Sequence, residues 1–125
     1  MRSLVDLYAW QKGHALVLAV YRATEKFPAK EIFGLVSQLR RAVISITSNI
    51  AEGFSRSSLK EKMNFYHISL GSLTEVQNQL LIARDVGYLS AVEYEQLFEL
   101  TVEVSKIING LIKASRARMY PPLSS

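Results

Sequence analysis

Between Leu39 and Gly53 two stripes of residues run along the chain at helical spacing. Leu39, Val43, Ile46 and Ile50 step by four, three and four, which is one face of a helix. Gln38, Arg41, Ser45, Ser48, Asn49 and Glu52 form a second stripe at least a quarter-turn away, small and amidic as much as charged. A solvated face usually carries more Lys and Glu, so this stripe predicts a packed polar seam, with an ordinary polar surface as the alternative. The β-branched run Val43 to Thr47 has strand propensity, but neither alternate set within it is consistently apolar, so the period selects helix.

The same reading extends over the chain. Asp6 is placed to cap a first helix over about residues 7–26, with Val5 and Trp10 as a hydrophobic staple. Trp10, His14, Val17, Tyr21 and Thr24 keep its period, while Leu16, Leu18 and Val20 are apolar on other sides. Pro28 interrupts the pattern, and a second helix carries the two stripes over about 31–54, its last turn relaxed by Gly53. Ser58 and Glu61 make a capping box for a third helix over about 59–86, stopped by Gly87, with Phe65, Ile68, Val76, Leu80 and Ala83 as core candidates. Gly71 and Ser72 in its middle weaken helix propensity, which predicts close approach of another helix there. Ser90 and Glu93 repeat the capping box for a fourth helix over about 91–117, burying Tyr94, Leu97, Phe98, Val104, Ile108, Leu111 and Ile112.

Four long helices with connectors of a few residues predict an all-α, antiparallel up-down-up-down four-helix bundle over residues 1–118, followed by a tail over 119–125 that Pro121 and Pro122 keep from continuing the helix. If the second and third helices pair about Arg56, residue numbers facing each other sum to about 112, which sets Gln38 against Glu75 and Arg41 against Ser72. The expected network between the helices is then Gln38, Arg41, Ser45, Asn49, Glu52, Ser72 and Glu75. If Arg41 and Glu75 are a buried pair, loss of Glu75 costs about 3–5 kcal/mol.

Composition narrows the function. With no cysteine, disulfides and thiolate metal sites are excluded. The longest apolar run, Ala15 to Tyr21, is far short of the roughly 20 residues that cross a bilayer, and the first residues lack the apolar region of a signal peptide, so a cytoplasmic protein with no membrane partner is expected. His14 and His67 are the two histidines, and no Glu-x-x-His pair of the di-iron type is present. No Ser, His and acid arrangement and no phosphate-cradling glycine loop occurs, so neither enzyme activity, nor a cofactor, nor a metal is expected. The net charge of +4 suits a polyanionic partner. Arg56, Lys60 and Lys62 form one cluster and Lys113, Arg116 and Arg118 another, read as candidate nucleic-acid contacts on opposite rims of the bundle. The alternative is charges that keep an apolar oligomer soluble. Apolar residues exceed what one small core needs, with Ile44, Thr47 and Ala51 on a third side of the second helix, and this predicts self-association.

Phe27-Pro28-x-x-Glu31-x-x-Gly34-Leu35-x-x-Gln38-Leu39-Arg40-Arg41-Ala42, then Ser45-x-x-Ser48-Asn49-Ile50-Ala51-Glu52-Gly53 and Gly71-Ser72-Leu73-x-Glu75, resembles the four-helix-bundle family named for proteins encoded in intervening sequences of large-subunit ribosomal RNA genes. The likeness reaches from Trp10 into the fourth helix; Thr47 departs from it, where relatives often have proline. The resemblance implies small bacterial bundles assembled as ring-shaped homopentamers, without catalytic activity. It also implies distant kinship with the accessory protein of diversity-generating retroelements, which works with nucleic acid and a reverse transcriptase. The expected function is therefore a homo-oligomeric adaptor or scaffold that binds RNA or DNA, with a purely protein-binding scaffold as the second reading. A third comes from His67-Ile68-Ser69-Leu70-Gly71, which partly resembles the histidine phosphotransfer motif but has Leu70 where that family places lysine.

Overall fold

A computed structural model describes residues 3–120. After a 3₁₀ turn at Leu4–Asp6 come α1 (Tyr8–Thr24), a second 3₁₀ turn at Ala29–Glu31, α2 (Leu35–Ser55), α3 (Leu59–Asp85) and α4 (Ala91–Met119). α2 packs on α1 and α3, and α4 closes the bundle against α3 and α1. Cross-helix contacts run in opposite directions along each neighbouring pair. Lys12 of α1 and Lys26 just after it meet Glu103 and Glu93 of α4; Gly13 and Thr24 of α1 face Thr47 and Arg40 of α2; Ile46 and Gly53 of α2 meet Ser69 and Lys62 of α3; and Gln77 and Arg84 of α3 meet Thr101 and Tyr94 of α4. No described helix is long and apolar enough to cross a membrane.

The apolar stripe of α2 is the centre of the core: Leu39, Val43, Ile46 and Ile50 are all fully buried. α4 contributes Tyr94, Leu97, Val104, Ile108 and Ile112, with Phe98 and Leu111 packed at the edge. Two stripes differ from the expectation. In α1 the buried line is Ala9, Gly13, Leu16, Val20 and Thr24, while Trp10 and Tyr21 flank it and His14 is exposed, stacked on Trp10 with ring centroids 4.7 Å apart. In α3 it is Tyr66, Ser69, Leu73, Val76, Gln79, Leu80 and Ala83, which leaves Phe65 half-buried and Ile68 exposed. Small and hydroxyl residues fill these inner lines because they let backbones approach and return their polar atoms to carbonyls. Thr24 Oγ1 donates to Val20 O at 2.8 Å and Ser69 Oγ to Ile46 O at 2.8 Å.

The helix ends explain the boundary shifts. Asp6 belongs to the first 3₁₀ turn, where its carboxylate accepts from Ser3 N–H at 3.3 Å, so α1 starts after Leu7 without the expected side-chain cap. α2 starts at Leu35 rather than near residue 31, because residues 29–31 tighten into the second 3₁₀ turn. Glu31 then caps α2 from outside: its Oε1 accepts from Leu35 N–H at 3.2 Å and its Oε2 from Tyr88 Oη at 2.7 Å. The Tyr88 hydroxyl, then the Leu35 amide, hold the Glu31 carboxyl below its ordinary range. Arg40 closes the other end of α1, donating to Thr24 Oγ1 at 2.9 Å and Tyr21 O at 3.3 Å while its guanidinium lies over the Tyr21 ring. Gly53 lies inside the last turn of α2, which runs on to Ser55. α4 likewise runs past residue 117 to Met119; the rest of the expected tail, 121–125, lies outside the described residues.

Both serines of the predicted capping boxes cap their helices, but only the box at Ser90 closes in both directions. Ser58 Oγ accepts from Glu61 N–H at 3.3 Å, Ser90 Oγ from Glu93 N–H at 3.1 Å, and Glu93 Oε1 in return accepts from Ser90 N–H at 2.9 Å. Lys26 pairs with the same Glu93 carboxylate, and that contact, ahead of the cap bonds, holds its pKa down at about 2. A depressed carboxylate stabilises the fold above its unfolded pKa and loses that contribution as pH falls through the folded one. Acid unfolding should therefore show the stability difference between the parent protein and Glu93→Gln at its full, constant size above about pH 4.3 and shrinking as the pH falls towards about 2. A difference between them that stays constant over that window would show that Glu93 is not ionically held.

Candidate functional site

The start of α3 and the end of α4 lie side by side, so the two basic clusters share one end of the bundle instead of decorating opposite rims. Antiparallel neighbours dictate this, since the first turn of one helix meets the last turn of the next. Lys60 and Arg116 line a single groove of about 380 Å³ together with Glu61, Met63, Asn64 and His67. Arg118 is close enough for its charge to act on Lys62.

The six basic residues have different employment. Lys62 Nζ donates to Gly53 O at 3.2 Å and Phe54 O at 2.9 Å, capping the carbonyl end of α2; burial first, then the charge of Arg118, push its pKa down. Arg56 pairs with Glu52 at 3.1 Å and covers the Phe65 ring at 4.8 Å. Lys60, Lys113, Arg116 and Arg118 are exposed and make no hydrogen bond or ion pair among the described residues. Lys113 precedes Arg116 by three residues, a helical neighbour on the same side of α4. Four uncommitted cations on two adjacent helix ends suit phosphate contacts, with Glu61 as the acid in the groove.

The polar seam between α2 and α3 is built around serine. Ser45 Oγ and Ser72 Oγ are 2.7 Å apart, and Asn49 Nδ2 donates to Ser45 O at 2.8 Å and to Ser45 Oγ at 3.1 Å. The register is shifted by about one helical turn from the expected one, so Ser72 meets Ser45 and not Arg41. Glu52 leaves the seam for its ion pair with Arg56. Gln38, Arg41, Ala42, Ser45, Glu75 and Gln79 line a cavity of about 280 Å³. Arg41 and Glu75 share that wall but do not pair: both are exposed and neither makes a hydrogen bond or ion pair among the described residues. The expected buried charge network is thus replaced by a serine and asparagine cluster beside an open, charge-lined recess. Glu75→Ala should accordingly unfold within about 0.5 kcal/mol of the parent, and a destabilisation several times larger in chemical denaturation would restore the buried pair.

Two residues were not legible from the sequence as part of these sites. Gln79 is 7% exposed, and its Oε1 is buried without a hydrogen-bond partner. It continues the line Ser72, Glu75, Gln79 at steps of three and four, and this spacing was the available signal. Arg40, adjacent to the seam residue Arg41, turns to the opposite helix instead, which only the packing of α1 decides. His67 is exposed on the groove wall, and no group of three or more His, Cys, Asp or Glu among the described residues is arranged to hold a metal ion.

The model of the family described as 23S rRNA-intervening sequence protein matches residues 5–110. Among solved structures, the chain is similar to one from Bacteroides thetaiotaomicron VPI-5482, described as a protein with unknown function from the S23 ribosomal protein family. The two are 21% identical, with a TM-score of 0.78 over 84% of this chain and 98% of that one, a likeness of fold. No curated protein matches the chain.

Proposed function

Because the chain belongs to the 23S rRNA-intervening sequence protein family, we propose that it is a cytoplasmic, non-enzymatic, homo-oligomeric adaptor that holds RNA against the basic end of its bundle. The observation that carries this reading is the set Lys60, Lys113, Arg116 and Arg118, four cations without a hydrogen-bond or ion-pair partner among the described residues, at one end of the molecule. Lys62 and Arg56 support it at second hand, since their charges stay at that end while their atoms hold α2 and α3 together. Self-association is supported by a depression in which Tyr21, Ile32, Phe33, Val36 and Ile44 stand beside Ser37, Arg40 and Arg41, with Phe33 97% exposed. In a ring, which the family likeness suggests as a pentamer, every copy repeats the basic end, so weak single sites add to a multivalent one.

Fluorescence anisotropy with a labelled generic RNA across a salt series, with native mass spectrometry to count chains, tests the reading. Binding should fall steeply with salt, and the variant K60E/K113E/R116E should bind at least tenfold more weakly, its log–log salt slope reduced by about 0.7 for each single-strand phosphate that is no longer neutralised. An oligomer that ignores RNA at low salt would overturn the RNA part and transfer the adaptor role to a protein partner.

A further inference from the structure

The recess between α2 and α3 has no part in RNA binding at the basic end. Its volume of about 280 Å³ is roughly nine times the 30 Å³ or so of one water in the liquid, and just short of the roughly 300 Å³ where pockets for drug-sized ligands begin. It therefore suits a small molecule better than a single ordered water. Five of its six lining residues, Gln38, Arg41, Ser45, Glu75 and Gln79, carry polar groups, while Ala42 and the aliphatic stems of the longer side chains make up much of the wall between them.

The unmet bonding capacity of those walls describes the ligand. Gln79 is more than nine-tenths buried, and its Oε1 has no donor. A buried acceptor left unpaired costs free energy that an entering N–H would return. On the solvent side Arg41 offers a guanidinium and Glu75 a carboxylate, each without an ion pair among the described residues. A phosphate or simple carboxylate would meet Arg41 but be repelled by Glu75, and a simple amine would face the reverse. A molecule carrying both charges satisfies both walls. We infer that this recess binds a small zwitterion of the α-amino-acid class, its carboxylate on Arg41, its ammonium on Glu75, and an N–H reaching the Gln79 carbonyl oxygen. Ser45 is already engaged by Ser72 and Asn49, so it positions the wall rather than the ligand.

Isothermal titration of the full-length protein with each of the twenty free amino acids at millimolar concentration, alongside butyrate and butylammonium as single-charge probes, decides the matter. At least one amino acid should bind saturably, and both single-charge probes at least about tenfold more weakly, because each forfeits one charge-assisted hydrogen bond. Arg41→Gln and Glu75→Gln, both at exposed positions with no partner among the described residues, should fold as the parent does and each weaken that amino acid about tenfold or more. Absence of binding to the parent, equal binding of butyrate, or full binding by either variant overturns the inference. If no amino acid binds and the two variants instead change the size of the oligomer, the recess is a contact between copies. The inference then falls, while RNA binding at the basic end is left intact.

Discussion

Ile46→Ala is expected to lower the unfolding free energy by about 3 kcal/mol and the melting temperature by roughly 10 to 15 °C for a domain of this size. Ile46 is fully buried at the middle of the α2 stripe, in the helix that packs on both α1 and α3. Removing its outer carbons takes away the transfer free energy of the apolar surface and leaves a cavity that neighbours only partly fill. Collapse is restrained there, because the Ile46 carbonyl accepts the Ser69 hydroxyl at 2.8 Å and fixes α3 at the same level. Leu39, Val43 and Ile50 are equally buried and have no slack to donate. Differential scanning calorimetry at one protein concentration measures the destabilisation and keeps any effect of assembly constant. A value below about 1 kcal/mol would mean that this stripe is not the centre of the core.

What the sequence made legible follows from how apolar each buried line is. In α2 the expected Leu39, Val43, Ile46 and Ile50 are large and apolar, so the period is visible and all four are fully buried, joined by Val36, Ala42 and Gly53. In α3 the expected Val76, Leu80 and Ala83 are buried, but in its first half Tyr66 and Ser69 take the inner line while Phe65 and Ile68 turn outward, so there the apolar period is off by one position. α1 misleads in the same way: of its expected stripe only Thr24 is buried, while Ala9 and Gly13 carry little apolar signal yet lie on the inner line, Gly13 so close to α2 that a Cβ would meet Thr47 Cγ2 at 2.9 Å. Burial of a hydroxyl that has a carbonyl within reach is cheap, and hydrophobic periodicity is blind to it.

The seam shows a second kind of limit. Its membership was largely readable, as Gln38, Arg41, Ser45 and Glu75 do line one recess, but its pairing was not. A turn taken to pivot at Arg56 in fact extends through Ser58, the cap of α3, and that displacement slides α3 by about a turn against α2. Serine then meets serine, and the charges that a one-turn difference would have paired face the recess instead. The basic end follows from helix direction alone. Once α3 and α4 are antiparallel, Lys60 and Arg116 must be neighbours, and their meeting in one groove is a consequence of topology rather than of any local signal.

Gly53→Ala is expected to destabilise the protein by about 2 kcal/mol net, although alanine is the better helix former by about 1 kcal/mol. A Cβ at residue 53 would lie 2.5 Å from Tyr66 Cε1, 2.9 Å from Tyr66 Cδ1 and 3.2 Å from the Lys62 carbonyl oxygen. The Tyr66 ring is itself buried, so it has no free volume into which to swing, and the Lys62 carbonyl is backbone. The strain must therefore be relieved by parting α2 from α3 at the turn. That displacement also pulls the Gly53 and Phe54 carbonyls away from the Lys62 ammonium that caps them. Gly71→Ala supplies the opposite sign. Contrary to the close approach expected at mid-helix, Gly71 is exposed and a Cβ there meets nothing within 4 Å. This substitution should recover helix propensity unopposed and stabilise by about 0.5–1 kcal/mol. Urea denaturation of the two variants beside the parent makes the comparison. Shifts of the same sign would mean that Gly53 serves only the flexibility of a helix end, whereas opposite signs identify it as the point where α2 and α3 touch through the Tyr66 ring and anchor the basic end of the bundle.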